Sequence, residues 1–429
     1  MSGRVGCRLA RRGLLVLLLG CGARALAAPA PPAEEDALAI ADAMLKDRPA
    51  EPAAQTRHRV FVEGSAAYGG SNAATRQTST VASLDYWLRQ NLGGGWSGLW
   101  SGRLDGTRDS RSRPSTDWTH TLRELAVEWQ PDPRWVLDLG RINAQYGEAI
   151  AFNPSDVFRE GALRSVTSVV PANLRTNRQG VVMARMQYLW QDGSVQAVLA
   201  PRIDGRSSAT FSPDWGATNP RQRWLLAVSQ KLGAEVTPQI MLTGGEGMSP
   251  LAAMSVSFLP LAETVAYVEA STGRRRSTLS RIGLWPDDTS MRTQVAVGAN
   301  WNPLPGATFG LEFDYDGVAN DAAQRHALEQ MPLRMRQAYG AALIQYQTLQ
   351  DRRQWFVSAS WKDALGPGTD ISALARIDGD APARQYWLEV RHRFDATEVA
   401  VRLLWRRNPA LGATPDAYRQ AGLLLSHYF

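Results

Sequence analysis

From Val60 to the C-terminus, apolar and polar positions alternate in runs of about ten residues that end at turn residues. In the run at 295–301, for example, the apolar side chains of Val295, Val297 and Trp301 fall on one face. A period of two is that of a β-strand, whose successive side chains point to opposite faces. The pattern therefore predicts an all-β chain of antiparallel strands.

Residues 118–140 form a predicted hairpin. Glu124 and Glu128 share one face of its first strand, and Pro131 and Pro133 then reverse the chain, because proline fixes φ and removes a ladder donor. The other face, by strict alternation, holds Thr119, Thr121, Arg123, Leu125, Val127 and Trp129. A second alternating run completes the hairpin.

Alternation alone is shared by soluble sandwiches and membrane barrels, and two features favour a barrel. The predicted strands number about twice the nine that one sandwich domain holds, without a linker after Arg57. Aromatic residues also stand at the ends of apolar faces, where interfacial girdles belong. They are Trp129, Trp135, Trp190, Trp301, Trp361 and Trp405. We therefore predict an antiparallel transmembrane β-barrel.

The lengths of the connections predict the topology. Short connections, expected at the periplasmic end, fall at 93–95, 131–133, 191–193, 232–235, 260–262, 303–306 and 395–397. Long ones, expected outside the cell, fall at 70–79, 108–117, 142–178, 202–220, 275–290, 317–353 and 408–417. A first count gives nineteen strands, but residues 335–350 lack strict alternation and are rich in helix formers. Assigning them to a helical extracellular loop leaves eighteen strands, with sixteen as the alternative.

The first 27 residues have the parts of a secretory signal peptide: a basic start, an apolar core at 13–20 and an A-x-A site at 25–27. Cys21 leaves a lipoprotein signal as an alternative. Residues 28–57 are predicted to be a periplasmic tail or linker with a short helix at 37–46, although a small plug or a partner-binding helix would also fit. The barrel is then expected to occupy residues 58–429.

Removing the predicted signal changes the charge balance. It holds five of the 47 Lys and Arg residues and no acid, which leaves 42 basic against 41 acidic residues. The mature chain is therefore nearly neutral, and we expect no nucleic-acid partner. Cys7 and Cys21 both lie in the signal, so a disulfide framework or a cysteine metal site is excluded from the mature chain.

The sequence carries no recognisable catalytic or metal-binding motif. There is no G-x-S-x-G, and the histidines show no metal-ligand spacing. They are His58, His120, His326, His392 and His427. We expect a protein that is not an enzyme, without cofactor or metal. A lipid hydrolase whose Ser and His meet only in the fold stays open as an alternative.

Residues 140–159, GRINAQYGEAIAFNPSDVFR, resemble a signature of uncharacterised, porin-like outer-membrane barrels of Gram-negative bacteria, loosely akin to alginate-export channels. Residues 173–180, NLRTNRQG, resemble the start of a strand in the same family. The resemblance implies an outer-membrane location and a channel or export role. It implies no particular substrate, because the dense lumenal arginines of alginate exporters are only partly present.

Charged residues opposite the apolar faces are expected to line the lumen. An acidic group in the first third of the chain, with Arg103 on the same face, comprises Asp85, Asp105, Glu124, Glu128 and Asp138. A basic group near the end comprises Arg391, Arg393, Arg402 and Arg406. We expect these groups to form opposed arcs, whose transverse field would select polar solutes. The alternative is that the charges pair with neighbours in a closed lumen.

The loop at 142–178 is expected to fold inward as a rigid constriction. Its candidate residues are Arg141, at its start, Asn153, Asp156 and Arg159. Asp156 and Arg159 are expected to be its polar tips, facing the arginines of the last strands.

These observations predict a porin-like outer-membrane channel for small polar or anionic solutes, or the outer-membrane component of an export system. A plugged barrel with a structural or receptor role is the alternative. The expected partners are outer-membrane lipid and lipopolysaccharide, small polar solutes, and the barrel-assembly machinery through a C-terminal strand ending at Phe429. An export role would add a periplasmic partner.

Overall fold

The computed structural model describes residues 57–72, 75–110, 116–203, 214, 217–233, 235–408 and 417–429. The predicted signal peptide and the linker, apart from Arg57, lie outside these residues, and so do parts of four predicted long loops. Their assignments stay predictions.

Eighteen antiparallel strands form one closed sheet, in which each strand pairs with its neighbours in the chain and β1 also pairs with β18. The strands are β1 (Arg57–Gly70), β2 (Gln77–Gly93), β3 (Trp96–Asp109), β4 (Asp117–Asp132), β5 (Trp135–Ile142), β6 (Val181–Trp190), β7 (Gly193–Ala200), β8 (Arg223–Gln230), β9 (Val236–Gly245), β10 (Met248–Leu261), β11 (Thr264–Arg275), β12 (Ser290–Leu304), β13 (Ala307–Asp316), β14 (Arg353–Trp361), β15 (Thr369–Asp378), β16 (Arg384–Phe394), β17 (Thr397–Arg407) and β18 (Tyr418–Tyr428). The predicted barrel and its eighteen strands are confirmed.

The outer face of the barrel is an apolar belt. On β12 and β13 the outward Val297 and Leu311 are exposed, whereas Ala296 and Glu312 on the alternate face are buried. Aromatic pairs flank the belt: Trp96 stacks on Trp129 at a centroid distance of 5.5 Å. An apolar band with aromatic borders is the surface that a transmembrane barrel presents to lipid. Among the described residues, no helix is long and apolar enough to cross a membrane.

The two ends of the barrel differ. The turn end carries the short connections, such as the hairpin turn between Asp132 and Trp135. The long-loop end carries α1 (Pro171–Thr176), α2 (Thr278–Arg281), α3 (Ala322–Gln330) and α4 (Leu333–Tyr346). The predicted helical loop is confirmed, because α4 covers most of 335–350. Buried Leu279, Leu328 and Tyr339 pack these helical loops together.

A β-bulge in β4 changes which face its first half presents. Ser101 pairs with Glu124 and Gly102 with Leu122, so Arg123 is the extra residue. Thr121 and Arg123 are buried on the lumenal side. The prediction that placed Thr119, Thr121 and Arg123 on the face of Leu125 was therefore wrong, because one inserted residue shifts the alternation by one position.

Candidate functional site

The inward loop, residues 143–180 between β5 and β6, crosses the lumen to the far wall. It contacts β11 and β13 through the carboxylates of Glu269 and Glu312. β5 and β12 are seven strands apart in one direction around the eighteen-stranded barrel and eleven in the other, so these walls face each other. The predicted inward fold of this loop is what the structure shows.

Glu312 receives the middle of the inward loop. Its carboxylate accepts backbone N–H bonds from Ile150 at 2.6 Å, Ala151 at 2.9 Å and Phe152 at 3.0 Å. The hydroxyl of Tyr267 donates a fourth bond at 2.6 Å. Because the acceptor is charged and shielded from water, these bonds are stronger than neutral ones.

Glu269 on β11 makes a second attachment. It accepts from the backbone N–H of Ala149 and from the hydroxyl of Ser155, both at 2.6 Å. Gly147 makes this approach sterically feasible, because its φ is +81° and a Cβ there would collide with Ser155 and Glu269. The loop therefore carries a glycine where it packs against Glu269.

Two arginines brace the inward loop from inside. Arg178 donates to Asn143 Oδ1, to the carbonyl of Ala144 and to Asp156 Oδ2, each at 2.6 Å. Arg175 donates to two backbone carbonyls of the same loop. A guanidinium offers five N–H groups in a fixed plane, so one arginine can hydrogen-bond to several separate segments of the loop at once.

Asp156 and Arg159 do not face the last strands, so that expectation was wrong. Asp156 is bound by Arg178 within the loop. Arg159 lies 4.6 Å over the ring of Phe152 and donates to the carbonyl of Asn153. Burial lowers the pKa of Arg159, and the nearby Asp316 opposes that effect. Both side chains therefore stabilise the inward loop, because their partners Arg178, Phe152 and Asn153 belong to the same loop.

Arg141 and Asn153 likewise support the loop. Arg141 is fully buried, and its guanidinium donates to the carbonyls of Gly180 at 2.9 Å and Asp214 at 2.7 Å. It thereby ties the base of the inward loop to the neighbouring long loop. The amide of Asn153 donates to the carbonyl of Ala149 across one turn of the loop.

The inward loop fills one side of the lumen with apolar contacts. Tyr146 and Phe158 of the loop belong to a buried cluster with lumenal residues of β6–β10 such as Met183, Leu225 and Met241. This face is apolar on both sides, so water is excluded from it. Any passage must therefore lie along the other walls.

The acidic group, apart from Glu124, is neutralised by arginines. Asp85 is bound by Arg123, and Arg103 contacts Asp105 at 2.8 Å. The remaining contacts are Arg103–Glu63, Asp138–Arg185 and Glu128–Arg89 as ion pairs, and Glu124 as acceptor of the backbone N–H of Asn143. Sequence reasoning missed Arg123, because nothing in the local sequence marks the bulge that turns it inward.

The basic group is largely neutralised too. Arg391 lies 2.6 Å from Glu398 and 2.9 Å from Glu389. Glu389 also binds Arg402, and Arg393 pairs with Asp370 at 3.1 Å. Arg406 differs: it lies over the ring of Tyr418, and none of the described carboxylates is within ion-pair distance.

The two charged groups are neighbours rather than opposed arcs. Only β18 and β1 separate β17 from β2, because the first and last strands join when the barrel closes. The predicted transverse field across the lumen was therefore wrong in its geometry. Two charged groups face each other across an eighteen-stranded barrel only if their strands are about nine strands apart in the chain.

The lumenal face of β15–β17 keeps partial exposure, in contrast to the wall beneath the inward loop. Arg376, Gln385 and Arg406 lie side by side in register on these strands. Arg376 Nε and Gln385 Nε2 are buried N–H donors with no acceptor among the described residues, although both side chains are partly exposed. Directly toward the turn end, Leu374, Trp387 and Leu404 form an apolar strip in the same register. Unsatisfied N–H groups therefore lie beside an apolar surface on this wall.

Solved structures of similar fold fit this architecture. The chain resembles OpdQ of Pseudomonas aeruginosa, with a TM-score of 0.54, 11% identity and coverage of 88% of this chain and 99% of that one. It also resembles OccAB1 of Acinetobacter baumannii, with a TM-score of 0.56, 11% identity and coverage of 87% and 96%. A third similar structure is OpdK of P. aeruginosa, solved with vanillate. Its TM-score is 0.52 and its identity 10%, and the match covers 87% of this chain and 98% of OpdK.

These neighbours are outer-membrane porins. At such identity the likeness shows the fold, and together with the apolar belt it places the barrel in the outer membrane. No protein-family model matches the chain, and no curated protein matches it. The neighbours give no support to the looser likeness to alginate-export channels.

Proposed function

We propose that the protein is a passive outer-membrane channel for small polar solutes, with a preference for anions. The observation that carries the proposal is the inward loop fixed to Glu269 and Glu312 across the lumen. This loop begins and ends at neighbouring strands, β5 and β6, and its middle is hydrogen-bonded to the opposite wall, so it narrows the lumen without a moving lid. What stays accessible is the polar wall of β15–β17.

The preference for anions is supported by unpaired positive charge on that wall. Arg376 and Arg406 flank Gln385, and neither arginine has an ion pair among the described residues. The charges of the acidic and basic groups described above are largely matched within a few ångströms and contribute little at a distance. Unmatched arginines in a water-filled pore raise the local concentration of anions.

The size and shape of the solute are suggested by the apolar strip of Leu374, Trp387 and Leu404. It lies one register step from the free donors of Arg376 and Gln385. A small organic anion with a flat apolar body would contact both surfaces at once. Vanillate, the carboxylate in the OpdK structure, has this chemistry.

Planar-bilayer recording of the purified protein tests the proposal. We expect discrete conductance steps in KCl and a reversal potential in a salt gradient that indicates a preference for Cl⁻. The inward loop also fits a closed receptor barrel, and that barrel would give no steps above background. Absence of steps would therefore overturn the channel proposal.

We further propose that the chain is exported with cleavage of residues 1–27, that residues 28–56 form a linker before β1 begins at Arg57, and that the barrel-assembly machinery recognises the last strand. The support is the signal pattern in the sequence and the exposed Phe429 that follows β18. N-terminal sequencing of the mature protein checks the first part, and deletion of Phe429 checks the last. A mature N-terminus at residue 1 or normal assembly without Phe429 would contradict the respective statement.

A further inference from the structure

Three exposed arginines lie on the lipid-facing side of the barrel at its long-loop end. Arg384 begins β16, Arg407 ends β17 and Arg419 lies near the start of β18. They face outward because they share the alternate register of exposed side chains such as Tyr386 and Leu423. The apolar belt therefore ends in positive charge on three successive strands.

Two of these arginines stand directly opposite each other. Arg384 and Arg407 are antiparallel register partners, whose Cβ atoms are about 5 Å apart in such pairs. Like charges at directly opposite positions repel and destabilise the sheet. The outward faces of β16–β18 contain no Asp or Glu, so the strands themselves supply no counter-charge.

Another arginine at the same end shows how the fold can neutralise such a charge. Arg353, at the start of β14, donates from Nε to Asp380 at 2.9 Å, and its backbone N–H donates to the same carboxylate at 3.0 Å. Arg384, Arg407 and Arg419 have no comparable partner among the described residues. The described part of the chain therefore supplies no counter-charge for these three arginines.

The height of the cluster in the membrane indicates where that counter-charge lies. One register step toward the membrane centre, Tyr386 packs on Trp405 at a centroid distance of 5.3 Å. Aromatic girdles mark the level at which acyl chains give way to head groups. Arg384 and Arg407 therefore lie at head-group level, at the end that faces the cell exterior in such barrels, and Arg419 lies beside its register partner Trp405 in the aromatic girdle.

We propose that Arg384, Arg407 and Arg419 bind the phosphate groups of lipopolysaccharide in the outer leaflet. A guanidinium binds phosphate through two parallel N–H···O bonds, and a phosphate between Arg384 and Arg407 would cancel their repulsion. Tyr386 and Trp405 would contact the adjacent acyl chains. The site faces lipid and not the lumen, so it stands whether or not the protein conducts.

Native mass spectrometry of the full-length mature protein in neutral detergent, titrated with bisphosphorylated lipid A, tests this site. We expect the double variant R384Q/R407Q to bind about tenfold more weakly or worse, because two charge-assisted contacts are lost. R419Q should weaken binding less. R353Q is the matched control, since its charge is already neutralised by Asp380, and it should bind as the wild type does.

Thermal unfolding separates a binding defect from a folding defect. Lipid A should raise the unfolding temperature of the wild type but not of R384Q/R407Q. Without lipid A the double variant should be at least as stable as the wild type, because a repulsion has been removed. The proposal is overturned if the double variant binds lipid A like the wild type, if dephosphorylated lipid A binds equally well, or if the double variant is less stable without lipid A.

Discussion

Glu312 on β13 lies 2.6 Å from the backbone nitrogen of Ile150, and this contact joins the inward loop to the wall opposite its origin. The acceptor is a buried carboxylate, and the donors are backbone groups of a loop without regular structure at that point. Buried N–H groups must find acceptors, and here the barrel wall supplies them. Glu312 and Glu269 thus fix the part of the loop that lies against the far wall.

Gly147→Ala should displace the loop without altering any charge. The new Cβ would collide with Ser155 and Glu269, and the backbone there has a φ of +81°. We expect the attachment to Glu269 to fail and the single-channel current to fluctuate more. Gly247→Ala is the matched control, because its φ is +66° with nothing within 4 Å. Equal behaviour of both variants would show that the Gly147 contact does not hold the loop.

Breaking the pair between Asp85 and Arg123 should destabilise the barrel. Arg123 donates to both carboxylate oxygens, at 2.8 Å and 2.7 Å, and both side chains are buried. Removing one partner of a buried pair costs about 3–5 kcal/mol, because the other charge is left uncompensated. We expect Asp85→Asn to lower the free energy of unfolding in urea by about that amount.

The double variant D85N/R123Q is the control for this pair. Since both charges are gone, it should recover part of the loss seen in Asp85→Asn. Losses that simply add would mean that the two side chains do not interact in the folded protein.

Charge selectivity should depend on Arg376 and Arg406. The variant R376Q/R406Q removes two positive charges that have no ion pair among the described residues, so we expect the reversal potential to shift away from Cl⁻ preference. The variant R393Q/D370N removes a matched pair at 3.1 Å and leaves the net charge unchanged, so its shift should be small. A larger shift in R393Q/D370N would assign selectivity to a different part of the wall.

The barrel was predictable because its signal is carried by period-two alternation repeated over eighteen strands. The helical loop was predictable for a related reason, since α4 lacks that period. One break in the pattern escaped: the bulge at Arg123 depends on the pairing of β3 with β4, and a single strand read alone does not reveal it.

The contents of the lumen were less predictable than its wall. The inward direction of the loop was foreseen, but its contacts with Glu269 and Glu312 join residues more than a hundred positions apart. Asp156 was expected at the tip and is instead bound by Arg178, a residue of the same loop. Which charges pair across strands follows from closure and register, and these are properties of the assembled sheet.

The most direct test of a loop-narrowed channel is the single-channel conductance of Glu312→Ala. This change removes the acceptor of three loop N–H bonds, and bonds to charged groups are worth about 1.5–3 kcal/mol each. Glu246→Ala is the control, because that exposed carboxylate pairs only with exposed Arg202 among the described residues. We predict a higher and more variable conductance for Glu312→Ala alone. A conductance equal to that of the wild type would contradict the proposal that the docked loop narrows the lumen.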